Sequence, residues 1–214
     1  SIEDGGTSHE KAAYGALSTV SLLTCRSCHE YRNQRKDGMT SDANTPQRVT
    51  TPNEGKLHAG WDADAPIDAP LRLHETTVAH AWCDYNGHMS ESSYLLVVGD
   101  NADAFFRYFG IDEKYRAGGG SLYTAETHLH HLRECDEGDR LTFTLRVLGV
   151  DRKRVHIVHE VLDADSGQPV ATAEQMLLHV DMTAGKVAPL PDHLYERLKA
   201  IEDGRVECYY NAAP

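Results

Sequence analysis

The residues from Asp84 to Met89 bring a carboxylate, an amide, a glycine and an imidazole together in one short stretch. Asp84, Asn86 and Gly87 are residue types that favour a tight turn, and a glycine also lets the backbone approach a ligand closely. A carboxylate such as that of Asp84 can attack a carbonyl carbon or activate a water molecule against it. The same pattern also fits a purely structural Asx turn, so the residues alone leave both interpretations open.

A helix is predicted to begin directly after this turn. Ser90 is a suitable N-cap, and Glu91 places negative charge in the first turn. The first amide groups of a helix lack partners within it and favour an anion, such as the oxyanion of an attacked carbonyl. The predicted apolar stripe contains Tyr94, Val98, Asn101, Phe105 and Tyr108, with Leu95, Ala102 and Phe109 beside it, whereas Asp100, Asp103 and Arg107 point elsewhere.

Segments that alternate with period two flank this helix. Residues 76–82 are predicted to form a strand before the turn, and a helix over about 191–202 is expected to stop at Gly204. Four more strands are predicted within 121–133, 141–147, 155–161 and 170–181. An antiparallel sheet must wrap the long helix to bury its apolar stripe, which predicts an α+β fold with one central helix.

The first strand after the helix carries several of the candidate side chains. Simple alternation predicts one face with Leu122, Thr124, Glu126 and His128, and an opposite face with Tyr123, Ala125, Thr127 and Leu129. His128, His130 and His131 form a histidine cluster, but no nearby cysteine or carboxylate completes a first set of metal ligands. We therefore predict no metal site.

The sequence Asp84-Tyr85-Asn86-Gly87-His88-Met89, followed by Tyr94 on a helix, resembles the signature of hotdog-fold acyl-CoA thioesterases of the 4-hydroxybenzoyl-CoA thioesterase type. Three segments, 121–128, 151–156 and 174–181, resemble the carnitine-pathway members, which hydrolyse betainyl-CoA and in some organisms are fused to carnitine dehydrogenase. The resemblance covers about 70–202. It implies a hotdog fold, hydrolysis of a small acyl-CoA without a cofactor, and a homodimer or homotetramer with its site at a subunit interface.

The resemblance also implies roles for individual residues. Asp84 would act as nucleophile or general base, and backbone amides near Gly87, Ser90 and Glu91 would polarise the thioester carbonyl. Glu126 remains open: it would position water, bind a cationic acyl group or serve as an ordinary strand residue. The substrate contacts are expected at Asn86, His88, Tyr94, Tyr123 and Glu126, with Trp82 and Tyr85 as further aromatic candidates, although aromatic side chains more commonly pack in a core. From their position in a turn, Lys153 and Arg154 are either coenzyme A phosphate contacts or ordinary turn charges.

Two other functions on the same fold are weighed against hydrolysis. Hotdog enoyl-CoA hydratases place a proline before a histidine five residues after their aspartate, whereas His88 follows Asp84 by four residues without a proline. A non-catalytic acyl-CoA sensor would lose the carboxylate or add a DNA-binding helix pair. Residues 1–70 show neither helix-turn-helix periodicity nor a basic excess.

Composition bounds the remaining possibilities. A net charge of −12 argues against a nucleic-acid surface, and no apolar run reaches the length of a membrane span. Five cysteines form no disulfide framework, so we expect a soluble cytoplasmic protein. The haem-attachment pattern of Cys25 to His29 lacks an export signal and is not expected to bind haem.

The chain is expected to divide into three parts. Residues 1–70 are predicted to be a poorly ordered extension and linker, residues 71–203 the hotdog domain, and residues 204–214 a tail. Met39 would make an ordinary natural start, which would leave 1–38 as an upstream extension.

Overall fold

The structure is a computed structural model that describes residues 51–56 and 60–210, with side chains as far as residue 202. The chain divides into two compact units, Ser1–Arg48 and Val49–Pro214, and the fold described below belongs to the second. The haem-like motif at Cys25, the start at Met39 and the last four residues lie outside the described residues. No helix in the described part is both long and apolar enough to cross a lipid bilayer.

The domain consists of one antiparallel sheet and a long helix packed against it. The elements in chain order are β1 (Glu75–Thr77), a 3₁₀ turn (His80–Trp82), α1 (Glu91–Phe109), α2 (Glu113–Ala117), β2 (Gly120–His131), β3 (Arg140–Val150), β4 (Arg154–Asp163), β5 (Pro169–Asp181), β6 (Lys186–Val187) and α3 (Asp192–Tyr210). Along the sheet the strand order is β1-β3-β4-β5-β2, and β6 pairs with the end of β5. The predicted α+β arrangement is confirmed.

The core lies between α1 and the sheet, in two clusters along the helix. The cluster at the start of α1 joins Val97 and Val98 to Phe143 and Val161, whereas the cluster at its end surrounds Phe105. The second cluster is closed by α3 and contains Phe109, Leu145, Ile157, Leu177, Leu194 and Leu198. Gly110 ends α1 in a left-handed conformation (φ 118°), which a residue with a side chain rarely adopts.

From Asp100 onward, polar residues of α1 that were predicted to point away from the apolar stripe are also buried. Asp100, Asp103 and Arg107 are each less than a tenth exposed. Residues 51–56 cover them, because the Thr51 hydroxyl donates to Asp103 and the Asn53 amide donates to the Asp100 carbonyl. Leu95, predicted to lie beside the apolar stripe, is instead 46% exposed.

Part of the region before residue 71 contacts the domain. The ring of Trp61 lies edge-on to that of Tyr108, with centroids 5.9 Å apart, and Ile67 packs against the core. These residues and 51–56 therefore pack on the domain, within a region predicted to be a poorly ordered extension. The division at residue 70 itself remains a prediction.

Two predicted elements have different bounds in the structure. The strand expected over 76–82 spans only Glu75–Thr77, because its partner β3 begins at Arg140, opposite Thr77. The chain then forms the 3₁₀ turn. The closing helix continues through Gly204, since a glycine weakens a helix interior by about 1 kcal/mol without necessarily ending it.

A β-bulge in β2 changes which side chains face the helix. Thr124 lies opposite Leu177 and Glu126 opposite Met176, so Ala125 is the extra residue. After the bulge, Thr127 and Leu129 face α1, whereas Glu126 and His128 join Tyr123 on the outer face. The simple alternation predicted for this strand is therefore wrong beyond Ala125.

Candidate active site

Asp84 occupies the turn that leads into α1. Its Oδ1 accepts a hydrogen bond from the Asn86 backbone amide at 2.7 Å, and its carbonyl accepts one from Gly87 at 3.0 Å. Gly87 has a φ of 87°, which explains the glycine. Asp84 and Asn86 therefore form an Asx turn. An ionised carboxylate has about four acceptor positions, so this turn leaves Asp84 capacity for a substrate or a water molecule.

The turn is held against both the start of α1 and the loop between β2 and β3. The Ser90 amide donates to the Trp82 carbonyl at 2.9 Å, and the Met89 amide donates to the Cys135 carbonyl at 2.8 Å. Ser90 is the N-cap as predicted, but its hydroxyl contacts Ser93 Oγ and does not cap the helix. Of the amides predicted to polarise the thioester carbonyl, those of Gly87 and Ser90 are bonded to the carbonyls of Asp84 and Trp82. The Glu91 amide receives no side-chain cap from Ser90, which suits an oxyanion site at the first turn of α1.

His88 pairs with acidic side chains of the β2–β3 loop. Its Nδ1 lies 2.7 Å from Asp136 Oδ1, and its Nε2 lies 3.5 Å from Glu134 Oε2. The hydrogen bond with Asp136 is the main reason that the pKa of His88 is raised. The imidazole predicted to contact substrate thus fastens the Asp84 turn to the neighbouring loop.

Tyr94 braces the first turn of α1 against the end of β2. Its side chain is 3% exposed, and its hydroxyl donates to the Arg133 carbonyl at 3.0 Å. The ring packs edge-on against His131 at 4.9 Å between centroids, and burial raises the pKa of the phenol. In the described chain Tyr94 has a packing role, and its predicted contact with substrate remains a prediction.

Tyr123 and Glu126 lie on the exposed outer face of β2, away from α1. Glu126 is opposite Met176, and beside it His128 lies opposite Glu174, which pairs with His156 at 2.6 Å. These side chains therefore do not share the helix side of the sheet, to which the Asp84 turn leads. In the described part of the chain, no three histidine, cysteine or carboxylate side chains converge as metal ligands would.

Lys153 and Arg154 lie in and after the exposed turn between β3 and β4. Asp151 accepts the backbone amides of both residues at 2.8 Å, and Arg154 Nε donates to its second oxygen at 2.6 Å. The strand that follows packs, through Val155, in the cluster around the end of α1. Asp84 precedes the other end of this helix, whose 19 residues span about 28 Å. One chain therefore keeps the predicted catalytic and phosphate-binding residues far apart.

The structure reveals two features that the sequence did not. A cavity of about 730 Å³ lies beyond the end of α1, where Tyr115 Oη is 2.7 Å from the buried His179 Nε2. The run Gly118-Gly119-Gly120 lines this cavity, and in the sequence it indicated only a loop. A second feature, a chain of buried polar side chains through Asn101 and His159, resembled ordinary helix and strand residues in the sequence.

Comparisons with known proteins find relatives that match more than half of this chain. The L-carnitine dehydrogenase/betainyl-CoA thioesterase of Rhizobium meliloti is 48% identical over 150 residues, 69% of this chain and 30% of that protein. The betainyl-CoA thioesterase of Pseudomonas aeruginosa is 42% identical over 134 residues, 62% of this chain and 84% of that protein. The chain spans about a third of the length of the first curated relatives that it matches.

A solved structure agrees with the fold. A hypothetical protein from Staphylococcus aureus, determined in complex with CoA, has a TM-score of 0.60 and 25% sequence identity, and the match covers 67% of this chain and 90% of that one. The predicted hotdog fold is confirmed. The model of the thioesterase-like superfamily matches residues 78–198, from the end of β1 through the Asp84 turn, α1 and the sheet to α3, and the chain belongs to that superfamily.

Proposed function

We propose that this protein is an acyl-CoA thioesterase that hydrolyses a small acyl-CoA, with betainyl-CoA as the first candidate, to the free acid and CoA. The observation that carries this proposal is the Asp84 carboxylate, which is held in a glycine turn directly before the uncapped start of α1. The names of the relatives from Rhizobium meliloti and Pseudomonas aeruginosa point to the same chemistry.

The proposed chemistry follows from the turn. In one route the Asp84 carboxylate attacks the thioester carbon, CoA leaves as the thiolate, and water splits the mixed anhydride. In the other route Asp84 removes a proton from a water molecule that attacks the same carbon directly. In both routes the carbonyl oxygen gains negative charge, which the amides of Glu91 and Ser92 at the start of α1 and the helix dipole stabilise, since the Ser90 amide is already bonded to Trp82.

A second copy of the chain would complete the site. Lys153 and Arg154 lie at the opposite end of α1 from Asp84, so we infer that the CoA phosphates bind these residues of one subunit while the thioester reaches Asp84 of the other. The exposed edge of β2 supports this inference, because an unpaired strand edge favours pairing with a second copy. Among the residues whose side chains are described, the exposed large apolar ones are Tyr85, Leu95, Leu96, Tyr123 and Leu132, which a second copy could cover.

The acidic surroundings of the turn favour a cationic acyl group. Glu134, Asp136 and Glu137 follow β2 and contact His88 or His80, so negative charge collects beside Asp84. A quaternary ammonium group would gain from this field, and an aromatic face would add about 0.5–2 kcal/mol. Asn86, which lies in the turn itself, is proposed as a further contact for this group, whereas Tyr123 and Glu126 lie on the outer face of β2 and are not placed in the acyl pocket.

The relative in Rhizobium meliloti combines its thioesterase name with an L-carnitine dehydrogenase name. We therefore propose that this domain is fused to, or works with, a carnitine dehydrogenase. A cytoplasmic location fits this role, and it also fits the free thiols of Cys83 and Cys135.

The direct test is thiol release from a panel of acyl-CoAs that includes betainyl-CoA, acetyl-CoA and crotonyl-CoA. We expect the highest kcat/KM for a small acyl group and no hydration of crotonyl-CoA. Asp84→Asn, which keeps the size of the side chain, serves as the control. Hydration of crotonyl-CoA without thiol release, or tight binding without turnover across the panel, would replace the thioesterase proposal.

A further inference from the structure

A chain of polar side chains crosses the core beneath α1. Asn101 Nδ2 lies 2.8 Å from His159 Nδ1, His159 Nε2 lies 3.1 Å from Gln175 Oε1, and Gln175 Nε2 donates to the hydroxyl of Thr127 at 3.3 Å. The first three side chains are at most 3% exposed, whereas Thr127 is half-buried. The chain thus connects the middle of α1 to the edge strand β2.

The direction of the hydrogen bonds is fixed along this chain. An amide NH₂ group can only donate, so His159 Nδ1 accepts from Asn101 and the ring proton lies on Nε2. That proton is donated to Gln175 Oε1, and the Gln175 NH₂ group then donates to Thr127. The opposite direction would leave both N–H groups of the buried Asn101 amide without a partner, whereas the observed one pairs one of them and leaves the Oδ1 atom unpaired. Unpaired buried donors are the rarer case.

The bulge at Ala125 brings Thr127 into this chain. Without the extra residue, Thr127 would lie on the same face of β2 as Tyr123, which points outward. Bulges frequently serve to redirect one side chain near a functional site. Because the Thr127 oxygen already accepts from Gln175, its own proton is left to be donated elsewhere.

We propose that Asn101, His159 and Gln175 are positioning residues that hold the Thr127 hydroxyl as a hydrogen-bond donor to a carbonyl oxygen of the bound acyl-CoA. The proposal rests on the proposed thioesterase function and on the second copy that would dock at the β2 edge. Replacing all partners of a buried hydrogen bond by apolar groups of the same shape is often nearly neutral, so stability alone gives little reason for three buried polar groups.

The first experiment compares Thr127→Val, which removes the hydroxyl at nearly constant volume, with Thr127→Ser, which retains it. Thr172→Val is the matched control, since Thr172 is a half-buried threonine on the outer face of β5. We expect kcat/KM to fall roughly tenfold in Thr127→Val and to change less than about threefold in the other two. Equal effects of Thr127→Val and Thr172→Val would overturn the proposal.

The kinetic split identifies the oxygen that accepts the bond. A lower kcat at unchanged KM indicates the thioester carbonyl, whose charge grows in the transition state, whereas a higher KM at unchanged kcat indicates an amide carbonyl of the pantetheine arm. If the wild-type protein hydrolyses no acyl-CoA, the proposed function and this inference both fail. If it hydrolyses normally and Thr127→Val does too, only this inference fails.

Gln175→Met tests the positioning role through a double-mutant cycle. This change should reduce kcat/KM about as much as Thr127→Val, and it should add little when Thr127 is already valine. A full additional loss in the Thr127→Val background would show that Gln175 acts through general stability. ¹⁵N NMR of the histidine ring in the wild-type protein gives a separate check. A proton on His159 Nδ1 instead of Nε2 would overturn the proposal without any variant.

Discussion

Carboxylates cluster at both ends of α1, but those at the far end are paired with a buried arginine, whereas Asp84 at the near end is exposed. At the far end, Asp103 and Glu113 bind the buried guanidinium of Arg107 at 2.8 and 2.5 Å. This contact is the main reason that the pKa of Glu113 falls to about 2. At the near end, Asp84 is exposed and accepts hydrogen bonds only from its own turn among the described contacts.

This difference separates a structural carboxylate from a reactive one. The acids around Arg107 are matched by opposite charge and covered by residues 51–56, so they stabilise the fold and have little capacity for a ligand. Asp84 contributes few contacts to the fold but keeps acceptor positions beside a helix start. Substitutions at the Asp84 end should therefore change activity more than stability, and substitutions at the Arg107 end should change stability more than activity.

The largest expected effect is the loss of activity in Asp84→Asn. The amide is a poor nucleophile and a poor base, so kcat should fall by about 10²–10⁴. The melting temperature should stay close to wild type, because Asn also forms Asx turns. Thiol-release kinetics and thermal denaturation of the same preparation measure the two quantities. Near-normal turnover would remove Asp84 from the mechanism.

The opposite outcome is expected for Arg107→Met. Removing the guanidinium leaves Asp103 and Glu113 without their main counter-charge, which should cost about 3–5 kcal/mol of unfolding free energy. Activity per folded molecule should be retained at low temperature. Arg116→Met is the matched control, because Arg116 approaches Asp103 only at 3.4 Å and is more exposed. Urea denaturation distinguishes the two variants, and equal losses would contradict the central role of Arg107.

The sequence predicted the architecture and the turn because both rest on local patterns. The period of α1, the Asx and glycine residues at Asp84 and Gly87, and the cap at Ser90 each specify their own conformation. The fate of Asp100, Asp103 and Arg107 was missed, since their burial depends on residues 51–56, about fifty positions away in the chain.

The faces of β2 were missed for a related reason. One extra residue at Ala125 reverses every later side chain, and a bulge leaves no composition signal in a strand of ordinary residues. The assignment of Glu126 and Thr127 to their faces therefore required the register against β5. Likewise, neither the Asp84 turn nor the Lys153 turn indicates how far apart the two lie. Their separation depends on the length of α1, because they lie at its opposite ends.

Subunit mixing tests whether the two ends of α1 meet across an interface. Asp84→Asn should be inactive, and a chain carrying Lys153→Ala and Arg154→Ala should show a raised KM for acyl-CoA. If the site combines residues from two subunits, a refolded one-to-one mixture regains roughly a quarter of the wild-type activity, because half of the dimers hold one intact site. Wild-type chains refolded alone provide the reference. A mixture that shows only the average of its two components would place both ends of one site in the same chain.

The smallest expected effect concerns the contact that fastens the Asp84 turn. His88 has a raised pKa, chiefly through Asp136, so its stabilising contribution is fully present below the unfolded pKa of about 6.5. This contribution is lost as the pH rises through the higher folded pKa. The difference in stability between wild type and His88→Gln should therefore shrink as the pH is raised from 6 through that value, and denaturation series across this range measure it. A difference that stays constant with pH would mean that His88 stabilises the turn as a neutral hydrogen-bonding group. The contact between His88 and Asp136 would then not be an ion pair of the kind that Arg107 forms at the far end of α1.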